Sequence, residues 1–184
     1  MESKVLPTMS EFNSMEKNDF MQVVHLLFET APPLANSLFN HRPYESFSEL
    51  ITKTEHIIPT LSHQDRHMVI NAHPRIGAAK THLSSLSLAE QGYEKKEITN
   101  NSLEQNEEES VNSQLKRLND LYESKYGFKF IVFVNGRSRK DIIPVLEQRI
   151  QTGTAESEME LGFKEMINIA KDRLKKLTSI KSNA

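Results

Sequence analysis

The segment that most restricts the fold is the apolar run from Tyr126 to Gly136, which reads YGFKFIVFVNG. Taken alone, it has the pattern of a buried strand that ends in an Asn-Gly turn. No other segment has the pattern of a pairing partner, and an unpaired buried strand would leave its backbone N–H and C=O groups unsatisfied. We therefore predict a buried extended segment between helices, whose spare backbone groups are available to a ligand.

Helical periodicity dominates the remaining sequence. Pro32 and Pro33 suit the first turn of a helix. Another helix is predicted to begin at about Ser46, and Ser62 suits the N-cap of the next. A long last helix is predicted over about 155–177. Because 184 residues suffice for one domain with a sizeable core, the predicted fold is an all-α, single-domain bundle of about seven to nine helices with one buried extended segment.

A strongly polar stretch at about 94–110 interrupts this predicted single domain, which spans residues 1–184. The stretch reads EKKEITNNSLEQNEEES, and its scarcity of apolar side chains predicts a solvated excursion. Its three consecutive acidic residues, Glu107, Glu108 and Glu109, would favour the N-terminal turn of the helix that follows, through the helix dipole.

Composition narrows the classes of partner. The net charge of −2 gives no general attraction to nucleic acid or to an anionic membrane, so neither partner is predicted. Cysteine is absent, which excludes disulfides and thiolate metal sites. We see no secretory signal and no apolar stretch long enough to cross a bilayer. The last residues, KSNA, differ from a peroxisomal Ser-Lys-Leu address, and a cytoplasmic location is expected.

His73 is the first candidate for acid–base chemistry. It begins the run HPRIG at positions 73–77, and Pro74 disfavours a helical backbone at the residue before it. The helix predicted over 64–72 should therefore end near His73, which places the imidazole on a stiff corner instead of a helix face. Histidine has an unperturbed pKa near neutral pH, so this side chain is suited to proton transfer.

A second candidate is the run SLAEQ at positions 87–91. Ser-x-x-Glu is the pattern of a capping box, in which Ser87 caps a helix and Glu90 reaches back, and the pattern alone favours this purely structural interpretation. The functional alternative places Glu90 and Gln91 at a helix N-terminus, where backbone amides and the dipole favour an anionic ligand. The two are compatible, because Ser87 can cap while Glu90 turns towards a ligand.

Arg173 is the third candidate, because it falls in the apolar stripe of the last helix between Ala170 and Leu177. Such a charge usually extends to water along its aliphatic stem. The alternative is a carboxylate partner, from Glu90 or from a substrate, which suits the planar guanidinium. Methionine would fit the stripe, and we expect it to raise stability and lower activity, because it removes a buried charge.

Three ordered runs resemble the OHCU decarboxylase family of urate breakdown: HPRIG at 73–77, SLAEQ at 87–91, and LNDLY at 118–122 followed by YGFKFI at 126–131. The resemblance covers about residues 12–177. It implies an all-α fold, usually a homodimer, that needs no cofactor. It also implies decarboxylation of 2-oxo-4-hydroxy-4-carboxy-5-ureidoimidazoline, a small anionic substrate, to (S)-allantoin.

The resemblance also implies a set of site residues. The catalytic residues would be His73, Glu90 and Arg173. The residues that bind the substrate would come from the three runs and from the residues directly after the third. They are Pro74, Ser87, Gln91, Ile131, Val132, Phe133, Val134 and Asn135. No metal ligand is implied.

Two other functions remain open from the residues alone. One is a non-enzymatic helical interaction module, with the polar stretch at about 94–110 as a docking segment. The other is a metal hydrolase that uses His63 and His67, which are one helical turn apart, with another ligand that the sequence does not identify. Solvated surface histidines are the simpler interpretation of that pair.

Overall fold

The computed structural model describes residues 6–93 and 102–181. Within these ranges the regular elements are nine α-helices and two short 3₁₀ turns, Ile58–Thr60 and Lys80–His82, and there is no strand. The predicted all-α fold with a buried extended segment is therefore confirmed. The helices are α1 Met9–Ser14, α2 Lys17–Phe28, α3 Pro32–Asn40, α4 Phe47–Ile57, α5 His63–Ala72, α6 Ser85–Glu90, α7 Ser102–Tyr126, α8 Arg139–Thr152 and α9 Ala155–Lys181.

Contacts between residues divide the structure into two compact units. The first comprises the described parts of Met1–His73 and Phe163–Ala184, and therefore α1–α5 with most of α9. The second is the described part of Pro74–Gly162, which holds α6–α8 and the start of α9. A single domain over 1–184 stays a prediction. None of the helices in the described ranges has the length and apolar character needed to cross a membrane.

Local signals in the sequence explain where the helices of the first unit begin. Pro32 and Pro33 occupy the first turn of α3, where a missing N–H costs nothing. The side chain of Ser46 accepts a hydrogen bond from the backbone N–H of Glu49 at the start of α4, and Ser62 does the same for Asp65 at the start of α5. These three predictions are confirmed.

Four apolar side chains of the extended segment are buried. Phe128, Phe130, Ile131 and Val134 are all at most 6% exposed. The segment ends in a turn at the predicted Asn-Gly pair, where Asn135 has a φ of 50° and the following glycine a φ of 76°. Asparagine and glycine are the residues that tolerate this left-handed conformation best.

The predicted polar excursion is wrong in its second half. Residues 102–110 belong to α7, whereas 94–101 lie outside the described residues. The acidic cluster is consequently inside the helix and not in its first turn: Glu107 pairs with Lys140 at 2.7 Å, and Glu108 pairs with Arg139. Glu and Gln are good helix formers, so a polar sequence can form a helix whose side chains are solvated.

Candidate functional site

His73 lies at the C-terminal end of α5, as predicted. It caps the helix with an extended backbone, φ −68° and ψ 142°, and is only 5% exposed. Its ring nitrogen Nδ1 is 3.2 Å from the backbone carbonyl oxygen of Phe28. A carbonyl oxygen can only accept, so Nδ1 carries the hydrogen in this contact. In the neutral imidazole, Nε2 is then the basic nitrogen, which is the atom that could take up and return a proton.

Arg173 is fully buried in the first unit, with 0% of its surface exposed. Its Nη2 is 2.8 Å from Oε2 of Glu29, and its Nη1 donates to the carbonyl oxygen of Leu26 at 3.2 Å. The expectation that Arg173 extends to water is therefore wrong. It does pair with a carboxylate, but this belongs to Glu29, whereas Glu90 or a substrate was expected. The sequence analysis did not identify Glu29, although an acidic residue directly after the apolar end of α2 was a signal.

The structure brings His73 and Arg173 to the same turn of α2. The acceptors are the carbonyl oxygens of Leu26 and Phe28 and the carboxylate of Glu29. Glu29 is the C-cap of α2 and has a left-handed backbone with a φ of 45°. The unpaired carbonyls of a helix C-terminus attract cations. The end of α2 is thus a fixed acceptor surface that orients one imidazole and one guanidinium.

Ser87 does not cap α6. The cap is Ser84, whose side-chain oxygen accepts a hydrogen bond from the N–H of Ser87 at 3.1 Å. Ser87 therefore sits in the first turn and is 2% exposed. Glu90 is the last residue of α6 and Gln91 its C-cap, so the predicted placement of both at a helix N-terminus is wrong. The run SSLS offers several serines for the cap, and the helix begins one turn earlier than the motif suggested.

Gln91 fixes the HPRIG turn. Its Oε1 accepts from the N–H of Gly77 at 2.9 Å, and its Nε2 donates to the carbonyl oxygen of Arg75 at 3.2 Å. Asn119 supports the same turn, because its Nδ2 donates to the carbonyl oxygen of Ile76 at 3.0 Å. Two side-chain amides thus hold the backbone that follows Pro74. Asn119 stands in the LNDLY run, but the sequence analysis gave it no role.

Arg75 is held by carboxylates on α7. Its Nε and Nη2 contact the two oxygens of Glu123, each at 2.6 Å, and its Nη1 is 2.9 Å from Asp120. The bond to Glu123, helped by Asp120, raises the pKa of the Arg75 guanidinium. This bidentate pairing attaches the HPRIG turn to α7.

Substituting Gly77 with alanine is expected to destabilise the protein more than the same change at Gly92. Both glycines have a φ of 75°, where alanine costs about 1–2 kcal/mol. A Cβ at Gly77 would also lie 3.0 Å from Cδ1 of Leu115, whereas at Gly92 no atom of the described residues is within 4 Å. Urea unfolding of both variants measures the difference. Equal losses would show that the contact with Leu115 relaxes without cost.

The five residues Ile131–Asn135 lie in the second unit, in the extended segment. Arg149, in the last turn of α8, donates from Nη1 to the carbonyl oxygen of Ile131 at 2.8 Å and pairs with Glu158 at 2.6 Å. A cation in the last turn of a helix is favoured by the helix dipole without any further role. The structure shows a buried charge pair that supports the segment, so this function was missed.

Tyr122 completes the buried group around Arg149. Its hydroxyl donates to Oε2 of Glu158 at 2.7 Å, and its ring is 0% exposed. Burial, followed by the bond to Glu158, raises the pKa of the Tyr122 phenol. The phenol therefore remains a neutral donor, and the carboxylate of Glu158 accepts from both the tyrosine and the arginine.

The remaining polar features do not extend the predicted site. The His63 and His67 rings are 4.5 Å apart, but the described ranges contain no cluster of three His, Asp or Glu side chains suited to a metal. A cleft of about 650 Å³ opens in the second unit beside the turn after Pro74. Its walls include Tyr93 and Asn119, and none of the predicted site residues lines it.

The sequence profile described as OHCU decarboxylase matches residues 13–175. This match spans most of the chain and contains every predicted site residue. The chain belongs to the OHCU decarboxylase family. The predicted family is therefore confirmed.

Named relatives of this OHCU decarboxylase family member are moderately similar. The uric acid degradation bifunctional protein PucL of Bacillus subtilis is 30% identical over 91% of this chain, and this chain spans 32% of its length. The 2-oxo-4-hydroxy-4-carboxy-5-ureidoimidazoline decarboxylase of Haloferax volcanii is 25% identical over 91% of this chain and 94% of its own.

The fold agrees with a solved member of the family. The crystal structure of OHCU decarboxylase in the presence of (S)-allantoin superposes with a TM-score of 0.62 at 22% identity. The match covers 90% of this chain and 99% of that one.

Changing Glu90 to glutamine is expected to lower turnover at least about tenfold while leaving stability within about 1 kcal/mol. Glu90 is partly buried at the C-terminal end of α6, where the dipole disfavours a carboxylate, so a neutral isostere should not weaken the helix. Rate and melting temperature should be measured beside Glu147→Gln, an exposed glutamate on α8. A normal rate for Glu90→Gln would remove this carboxylate from the chemistry.

Proposed function

We propose that this chain decarboxylates 2-oxo-4-hydroxy-4-carboxy-5-ureidoimidazoline to (S)-allantoin without a cofactor, as a carboxy-lyase of urate breakdown. The observation that carries the proposal is the family match over residues 13–175, because it includes all the site residues that the family resemblance implies. The relative in Haloferax volcanii is named for this reaction, and two Bacillus relatives are named for uric acid degradation.

The reaction requires little beyond positioning and one proton transfer. When the carboxylate leaves as carbon dioxide, the bonding electron pair passes into the heterocyclic ring of the substrate, and a proton then restores a neutral carbon centre. The ring is the electron sink, so an external cofactor is not needed for this step. The protein must hold the anionic substrate, restrict protonation to one face of its ring, and supply an acid–base group.

His73 is proposed as that acid–base group. The contact of Nδ1 with the carbonyl oxygen of Phe28 holds one tautomer of the ring, with the basic nitrogen at Nε2. A fixed tautomer lets one nitrogen receive or deliver a proton without reorientation of the ring. In this role the imidazole either polarises the ring hydroxyl of the substrate or donates the final proton.

The other residues are proposed to recognise the polar groups of the substrate. Arg173 is proposed to favour the anionic substrate through its positive charge, and its orientation is set by Glu29. Glu90 offers acceptor oxygens that match the N–H donors of a ureido group. Residues Ile131–Asn135 are proposed to meet the substrate with their backbone, because this extended segment pairs with no strand among the described residues.

Two further proposals follow from the expectations of the sequence analysis. We propose that the enzyme is a homodimer, which light scattering after gel filtration would detect as about twice the chain mass of 21.1 kDa. A mass equal to one chain at micromolar concentration would contradict it. We also propose a cytoplasmic location, to be tested by fractionation.

The direct test supplies freshly made substrate and follows circular dichroism at an allantoin band. Only an enantioselective catalyst builds up a signal, so spontaneous decay serves as the blank. We expect a signal of the sign of (S)-allantoin that grows in proportion to enzyme concentration. Substrate loss without any dichroism above the blank would contradict the proposed function.

Exhaustive chelation is expected to leave turnover unchanged. The chain has no cysteine, and the His63–His67 pair lacks a third ligand among the described residues. The rate should be measured before and after dialysis against EDTA, with metal content determined by elemental analysis. Activity lost on chelation and restored by zinc would instead support the metal hydrolase.

A further inference from the structure

Two arginines hold the extended segment Ile131–Asn135 by its carbonyl groups. Arg149 donates from Nη1 to Ile131 at 2.8 Å. Arg137 donates from Nη2 to Phe133 at 2.7 Å and from Nε to Val134 at 3.0 Å. Three carbonyl oxygens of this five-residue segment are therefore occupied by guanidinium donors.

This arrangement changes what the backbone offers to an anion. A carbonyl oxygen carries partial negative charge and repels a carboxylate, whereas an N–H group attracts it. A guanidinium bonded to a carbonyl oxygen offsets that partial charge and fixes the orientation of the peptide group. The negative potential at these three carbonyl oxygens is consequently lower, which favours the approach of an anionic substrate.

The two arginines differ in the charge that they add. Arg149 is 8% exposed, and its charge is balanced by Glu158 at 2.6 Å. Arg137 is exposed and makes no ion pair within the described ranges. The pKa of Asp141 is lowered mainly by its hydrogen bonds from Ser138 at the start of α8, and the charge of Arg137 is the smallest of the causes.

We propose that Arg137 is a positioning residue for substrate binding. It orients the peptide groups at Phe133 and Val134 and adds positive charge beside them, which favours a substrate that carries a carboxylate. Arg137 itself takes no part in proton transfer. This inference rests on the proposed decarboxylase function.

The experiment compares kcat and KM for Arg137→Ala, Arg137→Lys and the wild-type protein. Removing two charge-assisted hydrogen bonds and a nearby charge should raise KM about tenfold in Arg137→Ala, with kcat changed by less than about threefold. Arg137→Lys keeps the charge but loses the planar guanidinium, so its KM should lie between that of the wild type and that of Arg137→Ala. KM of the wild type should also rise more steeply with ionic strength than KM of Arg137→Ala.

Lys140→Ala is the matched control. Lys140 is an exposed cation in the first turn of α8, and it pairs with Glu107 at 2.7 Å instead of contacting the segment. Its KM should equal that of the wild type. Melting temperatures of all variants establish that the folded fraction is the same, and Arg137→Lys provides the comparison if the alanine variant is poorly folded.

The possible outcomes separate this inference from the function on which it rests. An inactive wild-type protein would contradict the decarboxylase function and the role of Arg137 with it. An active wild type with an unchanged KM in Arg137→Ala would overturn the positioning role alone. The same conclusion follows if only kcat falls, because Arg137 would then act in the reacting step.

Discussion

Replacing His73 with asparagine is expected to lower kcat by about 10²–10⁴-fold, the usual contribution of a general acid–base group. Asparagine can place its side-chain amide where Nδ1 lies and still donate to the carbonyl oxygen of Phe28, 3.2 Å away in the wild type. The structural hydrogen bond should therefore survive while the titratable nitrogen is lost. Steady-state turnover and the melting temperature, measured on the same sample, distinguish these two effects.

His41→Asn is the matched control for this substitution. The Nδ1 of His41 also contacts a backbone carbonyl oxygen, that of Ser37, at 2.7 Å, but the ring is exposed. Its replacement should leave both turnover and stability close to wild type. If His73→Asn retained a near-normal rate at normal stability, His73 would have no part in the proton transfer.

The architecture was predictable because it depends on short-range signals. A single apolar run without a partner, Tyr126–Gly136, argued against a sheet, and the structure shows an extended segment between α7 and α8. Caps at Ser46 and Ser62 and the extended backbone before Pro74 act over a few residues. Such features can be read locally, since the residues that cause them are neighbours in the chain.

The register of short helices was harder to predict. Ser84 and Ser87 both have a residue pattern suited to an N-cap, and local sequence does not decide between them. Packing decides, because Ser87 is 2% exposed and the cap at Ser84 keeps its own side chain in solvent. A shift of one turn moved Glu90 and Gln91 to the opposite end of α6. The two hydrogen bonds between Gln91 and the HPRIG turn are a consequence of this shift.

Long-range charge pairs could not be predicted from the sequence. Arg173 and Glu29 are separated by 144 positions, and the apolar stripe of α9 showed only that the arginine needed a partner. Arg149 and Glu158 are close in sequence, but nothing local indicated that both are buried. The cost of burying a charge predicts that a partner exists, whereas the fold determines which residue it is.

Arg173→Met is expected to reduce the free energy of unfolding by about 3–5 kcal/mol, because it leaves the Glu29 carboxylate buried without its cation. Glu29 is 5% exposed, and the ion pair measures 2.8 Å. The sequence alone predicts a gain in stability, because it shows Arg173 only as an isolated buried charge. The structure predicts a loss instead. Urea unfolding midpoints at constant m-value provide the measurement.

Lys171→Met supplies the control on the same helix. Lys171 pairs with Glu55 at 2.6 Å, but both side chains are 40–50% exposed, so we expect a loss of no more than about 1 kcal/mol. The double variant Arg173→Met/Glu29→Gln should be more stable than Arg173→Met alone, since it removes the stranded charge. Equal losses for Arg173→Met and Lys171→Met would show that Glu29 takes up a proton or reaches water, and the pair at the end of α2 would then have little influence on the fold.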